Sequence, residues 1–368
     1  MKIAQVVHSF HPASGGIENH TSHLSRELSK LGAEVEVFTT SIPGAKNEEK
    51  EGNLKIRRFF SINSPFFTLV RFPPAMLFSL LSTNADIYAS HGYGSLMPLF
   101  ASLAAKINGK PFIFTLHGYP RMKGKKRFFQ TIYRYTIAPI FLRIASKVIV
   151  VSKEGSEEIS KEVDRKKIVV IPNGIDADSF PFQQPKESKS LTYVGNINEY
   201  KGIETLIRAY AKLKPSFPDT KLWLVGKDSG AKEDLHRLAN SLGVKIHFSE
   251  VPYEEMGKVY SDSSAVVLPS KYEGFSLVWL EAMASGRPMF STPVGDAPAL
   301  FEQVYGKNSE DFLFKDEDEL VKKLTNYLKD PKKYHNVIER AEYIVKEEYS
   351  WENVARLTLN TYQESLKR

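Results

Sequence analysis

Two glutamates, Glu273 and Glu281, stand on either side of a glycine turn and the start of an apolar segment in SKYEGFSLVWLEAMASG. The glycine indicates that a helix begins after the turn, and we expect Ser276, Leu277 and Val278 to form its first turn. The first N–H groups of a helix have no partner within it, and together with the helix dipole they attract an anion. We therefore predict a phosphate site at five consecutive residues: Gly274, Phe275, Ser276, Leu277 and Val278.

The two carboxylates have different places relative to this phosphate site. Glu273 precedes the predicted helix, whereas Glu281 lies more than one turn into it. Carboxylates beside a phosphate indicate that hydroxyl groups are bound there, because a carboxylate accepts hydrogen bonds from them. A nucleotide-sugar carries a diphosphate, a ribose and sugar hydroxyls in one molecule. The alternative is a buried helix with an N-terminal cap, and Glu281 argues against it because it interrupts the apolar run.

Loops after other predicted strands carry further candidate groups, and ligands of open α/β sheets bind at such strand ends. Gly15 and Gly16 let the backbone approach a ligand before a predicted helix. Lys201 stands at the start of another helix, from which its ammonium can reach a diphosphate. His117 follows a strand at a position suited to contact with a sugar. The ordinary alternatives are a turn, a solvated lysine and a structural histidine.

The sequence does not indicate metal or redox chemistry. Four histidines lie near other predicted strand ends: His8, His11, His20 and His91. No pair of histidines has the helical spacing of a zinc site. The chain has no cysteine, so thiolate ligands and disulfides are excluded, and the glycine pair does not match GxGxxG. We predict no cofactor, no catalytic metal and no nicotinamide dehydrogenase.

The elements that must position these residues form two successive sets. The first set has a helix over residues 17–31 and strands over residues 2–7, 34–40, 87–90, 112–116, 147–152 and 168–171. A polar stretch at 181–189 indicates a linker. The second set has strands over residues 191–195, 221–225, 245–248, 265–268 and 288–291, followed only by helices from Asp316 onward.

This alternation predicts an α/β protein with two doubly wound, Rossmann-like domains that face a central cleft. The length of 368 residues and the hydrophobic fraction of 42% suit two such domains. The predicted domain limits are 1–183 and 184–348. A last helix, in residues 349–368, is long enough to cross back to the first domain. The first apolar run is too short for a signal peptide or a membrane span, which predicts a cytoplasmic protein.

Positive charge is concentrated in one part of the chain. Residues 52–153 contain fifteen Lys and Arg against one acid, Asp86, a net charge of +14 in a chain whose total is +7. The densest part, 121–147, has eight cations interleaved with aromatic and aliphatic residues, and its first cations are Arg121, Lys123, Lys125, Lys126 and Arg127. This composition suits an anionic membrane surface or a lipid-linked acceptor. A solvated helix face is the alternative, and no nucleic-acid-binding motif accompanies the charge.

Several of these segments together resemble the glycogen-synthase-like, retaining glycosyltransferases of family four, which have the GT-B fold. The resemblance spans the chain, and its most specific part is the double-glutamate segment. The motifs that carry it are GGIE at 15–18, LHG at 116–118, PNGID at 172–176, VG and KG at 194–195 and 201–202, and PSKYEGFSLVWLEAMASGRP at 269–288.

The resemblance implies a metal-independent, retaining hexosyltransferase that takes a nucleotide-diphosphate-sugar. Its second domain would bind this donor and its first domain the acceptor. The implied catalytic residues are His117 near the transferred sugar, Lys201 at the leaving diphosphate and Glu273 at the donor-sugar hydroxyls. The acceptor would be a lipid-linked or membrane-associated one in glycolipid, polysaccharide or glycan synthesis, which would place the protein at the cytoplasmic face of the membrane.

The resemblance also implies the remaining donor contacts. Glu281 would hold the ribose hydroxyls, Gly16 would approach the phosphates, and the amides around Leu277 would complete the phosphate site. Two positions in this donor site depart from the family pattern. Asn196 stands where the family usually has an arginine, and Ser276 replaces the second glycine of the commoner GFGL. Asn196 keeps a noncatalytic nucleotide-sugar-binding protein as an alternative, and a nucleotide-sugar epimerase is another. The base of the donor stays open among UDP, GDP and ADP.

Overall fold

The computed structural model describes residues 1–13, 15–63, 71–119, 125–183 and 190–367. The chain forms two compact units, Met1–Gly174 with Trp351–Arg368, and Ile175–Ser350. The second unit begins earlier than the predicted limit at residue 183, because Ile175 pairs with Ser350 and its N–H donates to Tyr349 O at 2.7 Å. Most of the predicted linker, residues 184–189, lies outside the described residues.

The first unit is built on an eight-stranded sheet with the order β10-β9-β8-β7-β1-β2-β4-β3. All neighbours are parallel except β3 and β4. The strands are β1 Lys2–Val6, β2 Glu34–Thr40, β3 Glu48–Glu51, β4 Leu54–Phe59, β7 Ile87–His91, β8 Phe112–Leu116, β9 Lys147–Val150 and β10 Ile168–Val170. A separate antiparallel pair is formed by β5 Ile62–Asn63 and β6 Arg71–Phe72.

Helices cover both faces of this sheet. Ala4 and Val6 pack into the core on one face, whereas Ile3 and the following Val7 pack into the core on the other, so β1 is buried on both faces. The last helix packs against the first within this unit. The helices are α1 Gly16–Lys30, α2 Pro74–Ser82, α3 Met97–Ile107, α4 Lys125–Thr136, α5 Ala138–Ile144, α6 Lys153–Ile159 and, at the end of the chain, α14 Trp351–Leu366.

The second unit contains a five-stranded, wholly parallel sheet with the order β13-β12-β11-β14-β15. The strands are β11 Ser190–Val194, β12 Lys221–Val225, β13 Ile246–Ser249, β14 Ala265–Leu268 and β15 Met289–Ser291. The helices are α7 Ile203–Leu213, α8 Lys232–Ser241, α9 Met256–Ser261, α10 Leu277–Ala284, α11 Ala297–Tyr305, α12 Glu317–Lys329 and α13 His335–Glu348.

The prediction of two doubly wound, Rossmann-like domains is confirmed. The sequence pattern did not predict the β3–β4 hairpin, because β3 reads EEKE and lies at the sheet edge, where charged side chains face water. The strand order reverses between β1 and β7 in the first unit and between β11 and β14 in the second. Such reversals open a crevice at the carboxyl ends of the strands, which is where α/β proteins bind ligands.

Candidate functional site

In the second unit, the loops after β11 and β14 flank the strand-order reversal and are fastened to each other. Lys271 N–H donates to Tyr200 O at 2.9 Å. Gly202 has a positive φ of 61°, and a Cβ atom there would lie 2.1 Å from Pro269 O. Only glycine allows this approach, because any side chain would collide with the neighbouring loop. The glycine of the KG motif therefore brings Lys201 to the double-glutamate segment.

The structure joins two of the predicted catalytic residues. The ammonium of Lys201 forms an ion pair with Glu273 Oε1, and Ser270 Oγ donates to the same oxygen at 2.7 Å. The Lys201 and Glu273 side chains are 23% and 13% exposed, so both face a partly hydrated recess rather than the core. Sequence reasoning missed Ser270, whose hydroxyl fixes the carboxylate. Because the ammonium of Lys201 stays partly exposed, an anion that binds here can contact it beside Glu273.

The N-terminus of α10 lies directly after this pair. We predicted Ser276 in the first turn of this helix, but it is the N-cap residue and the helix begins at Leu277. The Ser276 side chain makes no capping hydrogen bond. The first-turn N–H groups of Leu277 and Val278 therefore have no hydroxyl cap. The preceding turn is supported by Gly295, where a Cβ atom would lie 2.4 Å from Gly274 O. Phe275 packs by its ring against Trp279 and Tyr349.

Glu281 lies one turn deeper and is almost fully buried, with 5% of the residue exposed. Its carboxylate accepts hydrogen bonds from Tyr260 Oη at 2.6 Å and Tyr253 Oη at 3.3 Å. Burial raises the pKa of Glu281, and the two phenol hydrogen bonds oppose that rise. Sequence reasoning missed both tyrosines, which follow β13 in PYEEMGKVY. They hold the carboxylate with acceptor capacity left for further hydroxyl groups.

Asn196 lies in the loop after β11, on the same loop as Lys201, and is exposed. Its carbonyl oxygen accepts a hydrogen bond from the buried Tyr193 Oη at 2.8 Å. This bond fixes the backbone at the position where the sequence departs from the family pattern. The side chain of Asn196 is thus presented by an ordered loop.

In the first unit, the strand-order reversal carries a cluster of three histidines. His117 follows β8 as predicted, His91 ends β7, and His20 lies on α1. His91 Nδ1 lies 3.3 Å from His117 Nε2, and His91 Nε2 lies 2.7 Å from Gln5 Oε1. Gln5 in turn donates from Nε2 to Tyr362 Oη of α14 at 3.4 Å. The last helix is thereby connected to His117 through hydrogen bonds.

Burial determines the charge of this cluster. It lowers the pKa of His20 to about 4 and the pKa values of His91 and His117 well below 6.5, and the neighbouring histidines lower them further. His20 Nδ1 also bonds Asn173 Oδ1 of the PNGID motif at 3.0 Å. At neutral pH the three imidazoles are therefore uncharged. The sequence indicated His117 alone, because residues from α1, β7 and β8 meet only in the folded sheet.

The histidine cluster is also the group of described residues that could ligate a metal. One ring nitrogen from each histidine lies within 4.8 Å of one from each of the others, among the residues that the structure describes. The chemistry of imidazole suits zinc and similar ions. The expectation that catalysis needs no metal stays a prediction.

The remaining predicted residues belong to the first unit. Gly15 is the N-cap of α1 and Gly16 its first residue. A Cβ atom on Gly15 would lie 2.3 Å from Glu18 Oε2, so the carboxylate of Glu18 lies against this turn. Arg121 and Lys123 lie outside the described residues, and Lys125 and Lys126 are described only as backbone at the start of α4. Arg127 is exposed.

Each of the two units matches a known family model. Residues 14–179 match the family model Glycosyltransferase Family 4, and residues 174–343 match the model Glycosyl transferases group 1. An uncharacterized glycosyltransferase of Methanocaldococcus jannaschii is 28% identical, with 99% of this chain and 98% of the relative covered. No helix in the described part of the chain is both long and apolar enough to cross a bilayer.

Two further comparisons concern function and fold. A GDP-mannose:cellobiosyl-diphosphopolyprenol alpha-mannosyltransferase of Xanthomonas oryzae is 27% identical, over 78% of this chain and 77% of the relative. Among solved structures, the sucrose-phosphate synthase of Thermosynechococcus elongatus has a TM-score of 0.78 at 21% identity, with 99% of this chain and 98% of that chain covered. At this identity the structural likeness concerns the fold.

Proposed function

Because this chain belongs to glycosyltransferase family four and has the GT-B fold, we propose that it transfers a sugar from a nucleoside-diphosphate-sugar to an acceptor hydroxyl, with retention of anomeric configuration and without a metal. The observation that carries the proposal is the ion pair of Lys201 and Glu273 beside the uncapped N-terminus of α10, with buried Glu281 one turn deeper. This order matches a sugar, a diphosphate and a ribose.

The proposed mechanism depends on the negative charge that develops on the leaving diphosphate. As the bond from the anomeric carbon to the diphosphate breaks, negative charge increases on the leaving phosphate. Lys201 and the N–H groups of Leu277 and Val278 stabilise that charge. The acceptor oxygen then bonds to the same carbon on the same face and its proton passes to the departing phosphate. Glu273 is held by Lys201 and Ser270, so it binds sugar hydroxyls and does not pair with Glu281 as in a glycosidase.

The first unit is proposed to supply the sugar-facing histidine and the acceptor site. Neutral His117 is suited to accept or donate a hydrogen bond to a sugar hydroxyl. The Xanthomonas relative is named for a diphosphopolyprenol acceptor, and this chain carries its own basic stretch in 121–147. Both support a lipid-linked acceptor at a membrane surface.

The test is calorimetric binding of UDP-, GDP- and ADP-sugars, with Glu281→Ala as the control variant. Saturable binding of one nucleotide-sugar, lost in the variant, would support the donor site and identify the base. NMR of the product formed with an acceptor extract would then report the anomeric configuration, and an inverted product would contradict retention. Binding without turnover under every acceptor would favour the noncatalytic alternative that Asn196 suggests, and a converted donor without an acceptor would indicate an epimerase.

A further inference from the structure

The helix pair α4–α5 has apolar side chains on its outer as well as its inner face. Inside, Tyr133 is buried and its hydroxyl donates to Ser95 O at 2.8 Å, and its ring meets Tyr93 and Phe141. Outside, four large apolar side chains are exposed: Phe128 at 64%, Ile132 at 43%, Tyr135 at 74% and Ile140 at 44%. An exposed helix face normally carries polar residues, so this stripe indicates a partner.

The spacing places three of the exposed residues on one face of α4. Phe128, Ile132 and Tyr135 follow each other at intervals of four and three residues, which places them in one row along α4. Ile140 is an exposed apolar residue on the next helix, α5. We call Phe128, Ile132, Tyr135 and Ile140 the outer stripe. Because the inner face of α4 is anchored through Tyr133, the stripe is presented by a fixed element.

Positive charge borders the outer stripe. Between residues 121 and 147 the sequence has eight cations and no acid. A groove of about 340 Å³ opens beside Tyr135, and its charged lining residues are three cations and one acid: Arg134, Arg143, Lys161 and Glu162. Arg134 is paired with Glu162 at 2.6 Å, whereas Arg143 and Lys161 are exposed. An apolar row beside an unbalanced cationic groove is complementary to a surface that is apolar inside and anionic outside.

We propose that the outer stripe inserts into the interface of an anionic lipid bilayer, with lipid phosphates at the groove of Arg143 and Lys161. Aromatic and aliphatic side chains favour the boundary between headgroups and acyl chains, and each nearby cation adds attraction to an anionic leaflet. Insertion would hold the enzyme at the surface where a lipid-linked acceptor lies, and this role rests on the proposed function. A protein partner would bury the apolar row but would not need anionic lipid.

Flotation with vesicles tests this without donor or acceptor. The full-length protein is mixed with neutral phosphatidylcholine vesicles or with vesicles that also contain phosphatidylglycerol. We expect binding to the anionic vesicles only, and about fivefold weaker partitioning for each removed cation in Arg143→Gln and Lys161→Gln. Replacing Phe128, Ile132 and Tyr135 together by Ser should reduce partitioning at least tenfold, at high as well as low salt.

Tyr343 supplies the matched control, because it is also 64% exposed but lies on α13 in the second unit. Tyr343→Ser should bind vesicles like the unchanged protein. Insertion itself is read from Phe128→Trp, whose fluorescence should shift to the blue with anionic vesicles, while Tyr343→Trp should not shift. Equal binding to both vesicle types, or undiminished binding of the triple variant, would overturn the inference. Nucleotide-sugar binding is measured separately, so its loss would concern the proposed function alone.

Discussion

The polar side chains at the two strand-order reversals of this protein differ in charge. In the second unit, the loops after β11 and β14 bring together full charges, Lys201 and Glu273, in a partly hydrated recess. In the first unit, α1 and the ends of β7 and β8 bring together the buried His20 and His91 and the partly buried His117, whose imidazoles are kept neutral. The same edge of a Rossmann-like sheet thus carries charged groups in one unit and neutral groups in the other. Charge suits a diphosphate, whereas neutral donors and acceptors suit sugar hydroxyls.

The difference follows from solvation. A charged group that stays partly in water loses little solvation free energy. An incoming phosphate can then take over some of the contacts that Glu273 makes with Lys201. A histidine with no access to water gives up its proton instead, as His20 does with a pKa of about 4.

The largest expected effect is on catalysis in the charged cluster. Lys201→Ala should lower kcat by about a hundredfold to a thousandfold, because the leaving phosphate loses its cation. Steady-state kinetics with the donor identified by calorimetry would measure it. Lys271→Ala is the control, since Lys271 is exposed and its ammonium lies 3.8 Å from Glu204. If Lys271→Ala lowered kcat by a similar factor, the proposed role of Lys201 at the leaving phosphate would be contradicted.

The neutral cluster should make its unit sensitive to acid. The lowered pKa of His20 means that the unfolded chain binds a proton between pH 6.5 and about 4 that the native chain excludes. Stability therefore falls as pH falls through this window, by about 3 kcal/mol for His20 alone. Glu281 has a raised pKa, so its protonation in acid favours the native state and acts in the opposite direction. Urea unfolding between pH 7 and pH 4 would measure the balance.

The matched variant for acid sensitivity is His20→Gln, which removes the titrating group while leaving a polar side chain beside Asn173. Its free energy of unfolding should depend less on pH below 6.5 than that of the unchanged protein. An identical pH dependence would mean that His20 is protonated in the native state, and the comparison of neutral with charged clusters would fail.

Removing His117 should affect the sugar and not the nucleotide. His117→Ala should lower kcat by about tenfold to a hundredfold, the effect of one or two lost hydrogen bonds in the transition state. Affinity for the free nucleoside diphosphate should change less than twofold. His247→Ala, an exposed histidine on β13, should change neither quantity. If nucleotide affinity fell with His117→Ala, the division of roles between the two clusters would be wrong.

Glu281→Gln tests the ribose assignment through the ligand. The variant should bind the nucleoside diphosphate about tenfold more weakly, since a charged acceptor is lost. The unchanged protein should prefer the nucleoside diphosphate over its 2′,3′-dideoxy analogue by a similar factor, and the variant should not distinguish the two. Calorimetry would measure the affinity of both ligands for both proteins. If the variant still preferred the nucleoside diphosphate over the dideoxy analogue by the same factor, the ribose would bind elsewhere.

The smallest expected effect is that of metal removal. Treatment with a chelator should change the transfer rate less than twofold, because in the proposed mechanism Lys201 and the helix amides act where other enzymes use a metal ion. Added zinc should not raise the rate either. A chelator-sensitive rate that zinc restores, and that depends on His20 and His91, would assign a metal to the histidine cluster.

The sequence by itself was sufficient for the two α/β units and for the double-glutamate segment. Parallel strands buried on both faces are rich in apolar residues, which makes the strand pattern easy to recognise, and Glu281 is conspicuous because it interrupts the apolar run of α10. The helix of α10 was likewise predictable from its glycine turn, with a difference of one residue at Ser276. These features depend on residues that are close to one another in the sequence, so a local sequence pattern is enough to predict them.

Only the tertiary structure determined which distant side chains meet. Tyr253 and Tyr260 reach Glu281, and His20 and His91 reach His117, through elements that are far apart in sequence. Burial then sets their protonation, and burial depends on packing from all sides, which a linear pattern does not contain. The local sequence therefore determined which residues stand at strand ends, and the sheet order determined which of those ends became one site.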